Sequence, residues 1–264
     1  MPEVAGWQLY ALFPDDRLPQ AVYTDQYLPK KSIRDRVISY YLEEERRSLL
    51  CLEDEISDSL AESGFFPAVA NAFLVECAKE MFEGETIFAA MSTDRGKEHG
   101  FATVVSNRGK VLKKILWPQG RKGLERMHEN HRELERHGVK CVQEMLTEDA
   151  VVMPFITDIP LIEYLKDLFL HQKKDVEKIF DQLYEAILRS SETVNFSECR
   201  LTGGSLTEEN AGKILKRAYI DMIPYNCFYR DGEFLFYDQE FVKECYPAKY
   251  VLFRALRYTY IYIL

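Results

Sequence analysis

No two of the six cysteines are spaced as Cys-x-x-Cys; Cys51, Cys77, Cys141, Cys199, Cys227 and Cys245 stand singly along the chain. A zinc site is therefore not expected, and reduced thiols in a cytoplasmic compartment are. The five histidines, His99, His128, His131, His137 and His171, also lack ligand spacing. His128 and His131 lie three apart, but no third ligand accompanies them, so structural or exposed roles are expected. Positive charge is in deficit: 34 Lys and Arg against 43 Asp and Glu give a net charge of −9. That balance argues against a general nucleic-acid binder, which would be basic. It leaves a phosphate site open, because local charge decides there. The start, Met1-Pro2-Glu3-Val4, has neither the basic flank nor the apolar stretch of a signal peptide. No long uncharged apolar run occurs either. The run 246–264 is apolar but carries Lys249, Arg254 and Arg257, which suits a buried or interfacial helix better than a membrane span. Internal repeats and low-complexity tracts are missing.

What is present suffices for a folded protein. The 264 residues are 47% hydrophobic and 29% charged, enough for a core under a soluble surface. Residues 7–12 read as a strand, Phe13-Pro14-Asp15-Asp16 as a turn and Ala21-Val22-Tyr23 as a second short strand. From Ser32 to about Ser63 the sequence is charged and periodic, with Leu49, Leu50, Leu52, Ile56 and Leu60 on an apolar stripe, so one or two helices are expected. Residues 72–77 read as a buried strand.

The pattern changes near Glu83. Residues 86–91, 101–106 and 110–116 are strand candidates, and Asn107-Arg108-Gly109 is a hairpin turn between the last two. A helix is expected over 119–137, with Leu124, Met127, His131 and Leu134 on one face. Two further strands fit 139–145 and 150–153. Helices are expected at 160–168, 175–190 and 209–216, the last after a polar loop over 195–208. A hairpin over 227–237 is turned at Arg230-Asp231-Gly232.

The densest chemistry lies between that last helix and the hairpin's end. Asp221 stands five residues before Asn226, and Asp238 twelve residues after it, at the end of the apolar run Phe234-Leu235-Phe236-Tyr237. An Asp, an amide and a second Asp in this order suit phosphoryl transfer in kinase-fold enzymes. One carboxylate orients the attacking hydroxyl and takes its proton; an amide oxygen and the other carboxylate hold Mg²⁺, a hard ion that prefers oxygen. Pro224 would fix the loop, Gly232 would make the tight turn and Glu240 would be a further metal-shell or structural carboxylate.

Phosphoryl transfer also calls for a lysine on the phosphates. Lys113 and Lys114 both qualify, and strand alternation points them to opposite faces; Lys113 is favoured. Glu129 is the expected helix partner for the lysine, with Glu125, one turn earlier, as the alternative. Ser92, Arg95 and Gly96, in the loop between the strands 86–91 and 101–106, are candidates for covering phosphates, although the loop is not a full glycine-rich motif. Met153 and Phe155, in Val152-Met153-Pro154-Phe155, are candidates for a hinge offering backbone groups to an adenine.

Plainer readings stand beside these. An Asp-x-x-x-x-Asn spacing is common by chance, and Asp221 would serve equally as a turn or cap residue. A strand lysine often does no more than blunt an edge. Glu129 sits among surface carboxylates, and Tyr250, Tyr258, Tyr260 and Tyr262 are packing residues before they are stacking platforms.

Asp221-Met222-Ile223-Pro224-Tyr225-Asn226 together with Tyr237-Asp238-Gln239-Glu240-Phe241 resembles the kinase half of bifunctional bacterial proteins that join a SAM-dependent methyltransferase to a kinase, such as those that terminate O-antigen chains. Val111-Leu112-Lys113-Lys114-Ile115-Leu116-Trp117-Pro118 resembles their lysine strand. Phe13-Pro14-Asp15-Asp16, Tyr23-Thr24-Asp25-Gln26-Tyr27-Leu28-Pro29 and Asn71-Ala72-Phe73-Leu74-Val75 resemble the end of the fused methyltransferase. Tyr219, Ile220 and Gln239 depart from the protein-kinase pattern and point toward small-molecule or glycan kinases. The resemblance implies an α+β, protein-kinase-like (aminoglycoside-phosphotransferase-like) two-lobed fold preceded by a partial α/β methyltransferase segment. It implies a methyltransferase remnant over 1–80 and a kinase-like domain over 83–264, with a small lobe over 83–153 and a shortened large lobe over 154–264.

The expectation is thus a cytoplasmic phosphotransferase using ATP and Mg²⁺ on a hydroxyl of a sugar or glycan end, in surface-polysaccharide biosynthesis or modification. Asp221 is the expected base, Lys113 the phosphate lysine and Glu129 its partner, with Asn226 and Asp238 as metal ligands. No nucleic-acid partner is expected; a peripheral-membrane or polysaccharide-assembly partner is. The alternatives are a catalytically silent nucleotide-binding or docking module and a fragment of the methyltransferase.

Overall fold

The computed structural model describes residues 4–29, 53–80, 84–199 and 207–263. The chain divides into two units, residues 1–122 with 144–155, and residues 123–143 with 156–264. The expected helix over 32–63 lies partly outside the described residues; within them, α1 spans Glu53–Glu62.

The first unit is built on one eight-stranded sheet of β1 (Gly6–Phe13), β2 (Ala21–Tyr23), β3 (Ala72–Ala78), β4 (Thr86–Met91), β5 (Phe101–Ser106), β6 (Lys110–Ile115), β7 (Met145–Leu146) and β8 (Ala150–Pro154). Its strand order is β3-β1-β2-β4-β5-β6-β8-β7, and every pairing is antiparallel. Short connections join β1 to β2, β4 to β5, β5 to β6 and β7 to β8, whereas β3–β1, β2–β4 and β6–β8 are pairings of strands far apart in the chain. Gly109, at φ 67, supplies the left-handed residue between β5 and β6. On one face, Phe13 and Phe66 stack at 5.1 Å between ring centroids and Tyr27 stacks on Phe88 at 4.7 Å, with Tyr23 buried among them.

β2 pairs with β4, Ala21 opposite Ala90 and Tyr23 opposite Phe88, so one sheet holds strands from both sides of residue 80. One expectation changes here. The strand at 72–78 is an exposed edge rather than a buried one: Phe73, Leu74 and Val75 are about half exposed. An apolar sequence cannot by itself distinguish a core strand from an edge strand.

In the second unit, α2 (Arg121–Arg136, whose first two residues belong to the first unit) buries Leu124, Met127, His131 and Leu134 as its spacing predicts, and Asn130 with them. Helices α3 (Leu161–His171), α4 (Lys173–Arg189) and α6 (Ala248–Ile263) share a core containing Leu165, Leu183, Ile187, Val251 and Ala255. Between α4 and α6 lie β10 (Thr193–Val194), α5 (Glu208–Ala211), β11 (Ile214–Tyr219), β12 (Cys227–Arg230), β13 (Glu233–Phe236) and β14 (Val242–Pro247). They form two small sheets, β10-β11-β14 and β13-β12-β9, where β9 is Ile159–Pro160.

The helix expected over 209–216 is one turn only. Gly212, at φ 69, ends it, and the chain then enters β11. Ile214, Leu215, Ala218 and Tyr219 are buried there, and β11 pairs on both sides, with β10 and β14. Tertiary pairing overrides local propensity. The strand expected over 139–145 is reduced to an isolated bridge from Cys141 to Phe236 and the two residues of β7. No helix among the described residues is long and apolar enough to cross a membrane.

Candidate functional site

Strand β11 ends at Tyr219, and the next two residues carry the chain to Asp221. The bond from Ile220 N–H to Phe241 O extends the β11–β14 pairing one step further, so Asp221 and the segment after Asp238 are held side by side. A 3₁₀ turn over Pro224–Asn226 follows, with Pro224 at its first position, where a missing N–H costs nothing. Asn226 N–H bonds Ile223 O at 3.0 Å, and its side-chain Nδ2 donates to Asp221 O at 3.3 Å. That bond commits the amide nitrogen and leaves Oδ1 as the acceptor end.

The β12–β13 hairpin then returns the chain to its starting point. Asp231 and Gly232, at φ 51 and 83, make the turn; two left-handed residues are what a two-residue hairpin needs. Cys227 sits opposite Phe236, and Tyr237 N–H donates to Asn226 O at 3.1 Å. Asp238 comes next, in a left-handed conformation at φ 56. Asp tolerates this region better than most residues but still at a cost of about 1 kcal/mol, and such outliers cluster at functional sites.

Asp221 is 6% exposed. Its Oδ2 accepts from Phe241 N–H at 2.9 Å, and its Oδ1 lies 3.3 Å from Arg254 Nη2 on α6. Arg254 Nε also donates to Ile220 O at 2.9 Å. Burial pushes the Asp221 carboxyl above the ordinary Asp range. The Phe241 N–H and the Arg254 guanidinium oppose that shift, while the like charge of Asp238 adds to it. Asp and Asn side chains offer hard oxygen donors, the type that Mg²⁺ prefers. No cluster of three or more His, Cys, Asp or Glu side chains able to hold a metal occurs among the described residues.

The remaining expected residues divide as follows. Lys113 is 6% exposed, with Nζ 5.0 Å from the centroid of the Phe101 ring. Lys114 points the other way, as alternation requires, and pairs with Asp149 at 3.3 Å on the surface. Glu129 is exposed on α2, off the face that carries Leu124, Met127, Asn130 and His131, whereas Glu125 is half-buried. Ser92 continues the β4–β5 ladder through its N–H to Phe101 O at 2.9 Å, while Arg95 and Gly96 are exposed at the tip of that loop. Met153 lies opposite Val111 in the sheet. Phe155 N–H is bonded to Gly109 O at 2.8 Å, so this donor is not available to an adenine; the ring meets Tyr27 edge-on at 6.4 Å.

Several residues at the site carry no motif in the sequence. Asn130, fully buried, donates from Nδ2 to Gln239 O at 2.8 Å and accepts from Arg217 Nη2 at 3.2 Å. His131 accepts from Gln239 N–H through Nε2 at 3.3 Å, a structural role of the kind expected for the histidines. In the first unit, and not part of this site, Gly100 is required by packing: a Cβ there would stand 2.0 Å from Trp117 Cζ3.

Neither a family model nor a curated protein matches the sequence. Among solved structures, the chain is similar to a macrolide 2′-phosphotransferase from Brachybacterium faecium, solved as the apoenzyme. Identity is 12% and the TM-score 0.32, over 69% of this chain and 79% of that one.

Proposed function

We propose that this protein transfers a phosphoryl group from ATP to a hydroxyl group. The observation that carries the reading is the joining of Asp221, Asn226 and Asp238 in the second unit. Asn226 bonds the backbone of Asp221, Tyr237 bonds the backbone of Asn226, and the charges of the two aspartates act on one another. Asp221 orients the acceptor hydroxyl and takes its proton as the oxygen attacks phosphorus. Its raised pKa makes it a better proton acceptor than an ordinary Asp. Asn226 Oδ1 and the Asp238 carboxylate would hold Mg²⁺, which when bound neutralises charge on the phosphate oxygens. Lys113 serves as the phosphate lysine; its burial, against the surface ion pair of Lys114, supports that choice. The acceptor is a hydroxyl of a small molecule or a glycan end, and surface-polysaccharide biosynthesis is the proposed setting.

A second reading draws on one observation. Both carboxylate oxygens of Asp221 are already engaged, by Arg254 and by Phe241 N–H, as they would be in a module that binds nucleotide without turning it over. The two readings separate on ATP turnover with and without Mg²⁺, for wild type and Asp238→Ala. The enzyme turns ATP over only with Mg²⁺, and Asp238→Ala abolishes this. Mg²⁺-dependent binding without turnover supports the silent module, and equal binding by both proteins removes Asp238 as a metal ligand.

A further inference from the structure

Gln239 follows the proposed metal ligand Asp238 and is 0% exposed. Its side-chain Nε2 donates to Asp221 O at 2.9 Å and to Tyr237 O at 2.9 Å. Two carbonyl acceptors on one nitrogen identify that nitrogen as the NH₂ end of the amide, and they use both of its hydrogens. Gln239 Oε1 has no hydrogen-bond partner among the described residues. A buried amide that leaves its acceptor unsatisfied while spending both donors is held for its donors.

Those donors join the two strands of the site. Asp221 O belongs to the proposed base, and Tyr237 O to the residue directly before Asp238. One nitrogen bound to both keeps the two carbonyl oxygens within twice a hydrogen-bond length of each other. The main chain of Gln239 is held as firmly: its carbonyl accepts from Asn130 Nδ2, its N–H donates to His131 Nε2, and Asn130 is itself held by Arg217. Asn130 Nδ2 also stands 3.5 Å from Glu240 O, and Glu240 N–H bonds Asp238 O at 3.1 Å. The segment from Tyr237 to Glu240 is thereby tied to α2 on one side and to the Asp221 loop on the other.

We propose that Gln239 is the positioning residue that sets the spacing between Asp221 and Asp238, with Asn130 and His131 of α2 holding Gln239 in place. Its consequence for metal binding rests on the phosphotransferase reading above; its consequence for loop order does not. The side chain touches no reacting atom and acts through the backbone of the two aspartate segments. A carboxylate at this position has no hydrogens to give and would face two carbonyl oxygens. A thioether of the same length is likewise without donors.

The test uses the full chain as wild type, Gln239→Glu, Gln239→Met and Asn130→Asp. Asn130→Asp keeps an acceptor for Arg217 and removes the donor shared by Gln239 O and Glu240 O. Two quantities are measured: ATP affinity by calorimetry with and without Mg²⁺, and amide hydrogen exchange in the nucleotide-free protein. Both Gln239 variants are expected to lose tenfold or more of the Mg²⁺-dependent gain in ATP affinity, with Mg²⁺-free affinity within twofold of wild type. Their amides over 221–226 are expected to exchange several-fold faster. Folded variants with unchanged Mg²⁺ dependence and unchanged exchange overturn the proposal. If neither Gln239 variant folds, Asn130→Asp decides: several-fold faster exchange over 237–241 supports the proposal, and wild-type exchange there overturns it. A wild type whose ATP binding ignores Mg²⁺ removes the phosphotransferase reading, while the exchange measurements still decide the role of Gln239.

Discussion

Arg254 holds Asp221 by its side chain and the preceding residue, Ile220, by its backbone. Its Nε donates to the carbonyl of Ile220 at 2.9 Å, and its Nη2 stands 3.3 Å from Asp221 Oδ1. The guanidinium also lies over the Tyr258 ring, 4.6 Å from its centroid. A planar cation with several donors suits such a site better than a lysine would. The helix that carries it thus helps orient the proposed base.

Charge follows from that geometry. Arg254 is one of two groups that hold the Asp221 pKa down against burial and Asp238. Arg254→Gln is expected to raise that pKa further. The acid limb of the pH–rate profile should move to higher pH, while the alkaline limb stays in place. An acid limb that does not move would separate Asp221 from the titration controlling the rate.

Stability should depend on pH through the same carboxyl. Its folded pKa is raised above the unfolded value, mainly by burial. The native state therefore holds the proton more tightly than the unfolded one. The resulting stabilisation is full below the ordinary Asp pKa and is lost as pH rises through the folded value. Asp221→Asn removes this dependence, so its stability should fall less than that of wild type between acid and neutral pH, measured by urea unfolding across the range. Transfer should drop by roughly 10²–10⁴-fold in the same variant, the usual worth of a positioned base. A variant that keeps full turnover would remove Asp221 from that role.

The two neighbouring lysines should part company. Lys114 is paired with Asp149 on the surface, and such pairs contribute about 0–1 kcal/mol. Lys114→Met should melt near wild type and bind nucleotide normally. Lys113→Met should lose tenfold or more of nucleotide affinity in a binding titration; the reverse ranking would exchange the two assignments.

Gly100 offers a prediction independent of function. Its missing side chain makes room for Trp117, with a Cβ destined for 2.0 Å from Cζ3 and 2.5 Å from Cε3 of the ring. Gly100→Ala should cost about 1–3 kcal/mol, the usual penalty of overpacking. Gly96→Ala in the same loop meets nothing within 4 Å and bears only the strain of its φ of 74, so its loss of stability should be smaller. Chemical unfolding of the two variants gives the order directly.

Much of this was legible from spacing. The strands at 6–13, 86–91, 101–106 and 110–115, the helix over 121–136 and the hairpin turned at Asp231-Gly232 all follow alternation, helical period or turn chemistry. Asp221, Asn226 and Asp238 were visible because the hairpin that joins them has a readable turn. Asn130 was not, because a single polar residue on an apolar helix face becomes meaningful only when its partner, 109 residues further on, is known. Arg254 was seen as an interruption of an apolar run, and its role depends on a carboxylate 33 residues earlier. The strand β11 was hidden for a related reason: its two neighbours lie before and after it in the chain, and local sequence favoured a helix. The continuity of the first sheet across residue 80 was hidden as well, since residues 21–23 and 88–90 give no local sign that they pair.

The β12–β13 hairpin has a practical consequence. Its base is fixed where Tyr237 N–H meets Asn226 O, and again where the Tyr237 hydroxyl donates to Tyr225 O. Its tip, Arg230-Asp231-Gly232, is exposed. Residues can therefore be added at the tip without changing the register at the base. The turn is a natural attachment point for a fluorophore or spin label, a reporter placed between the two aspartates in the chain and covalently outside the segments that hold them.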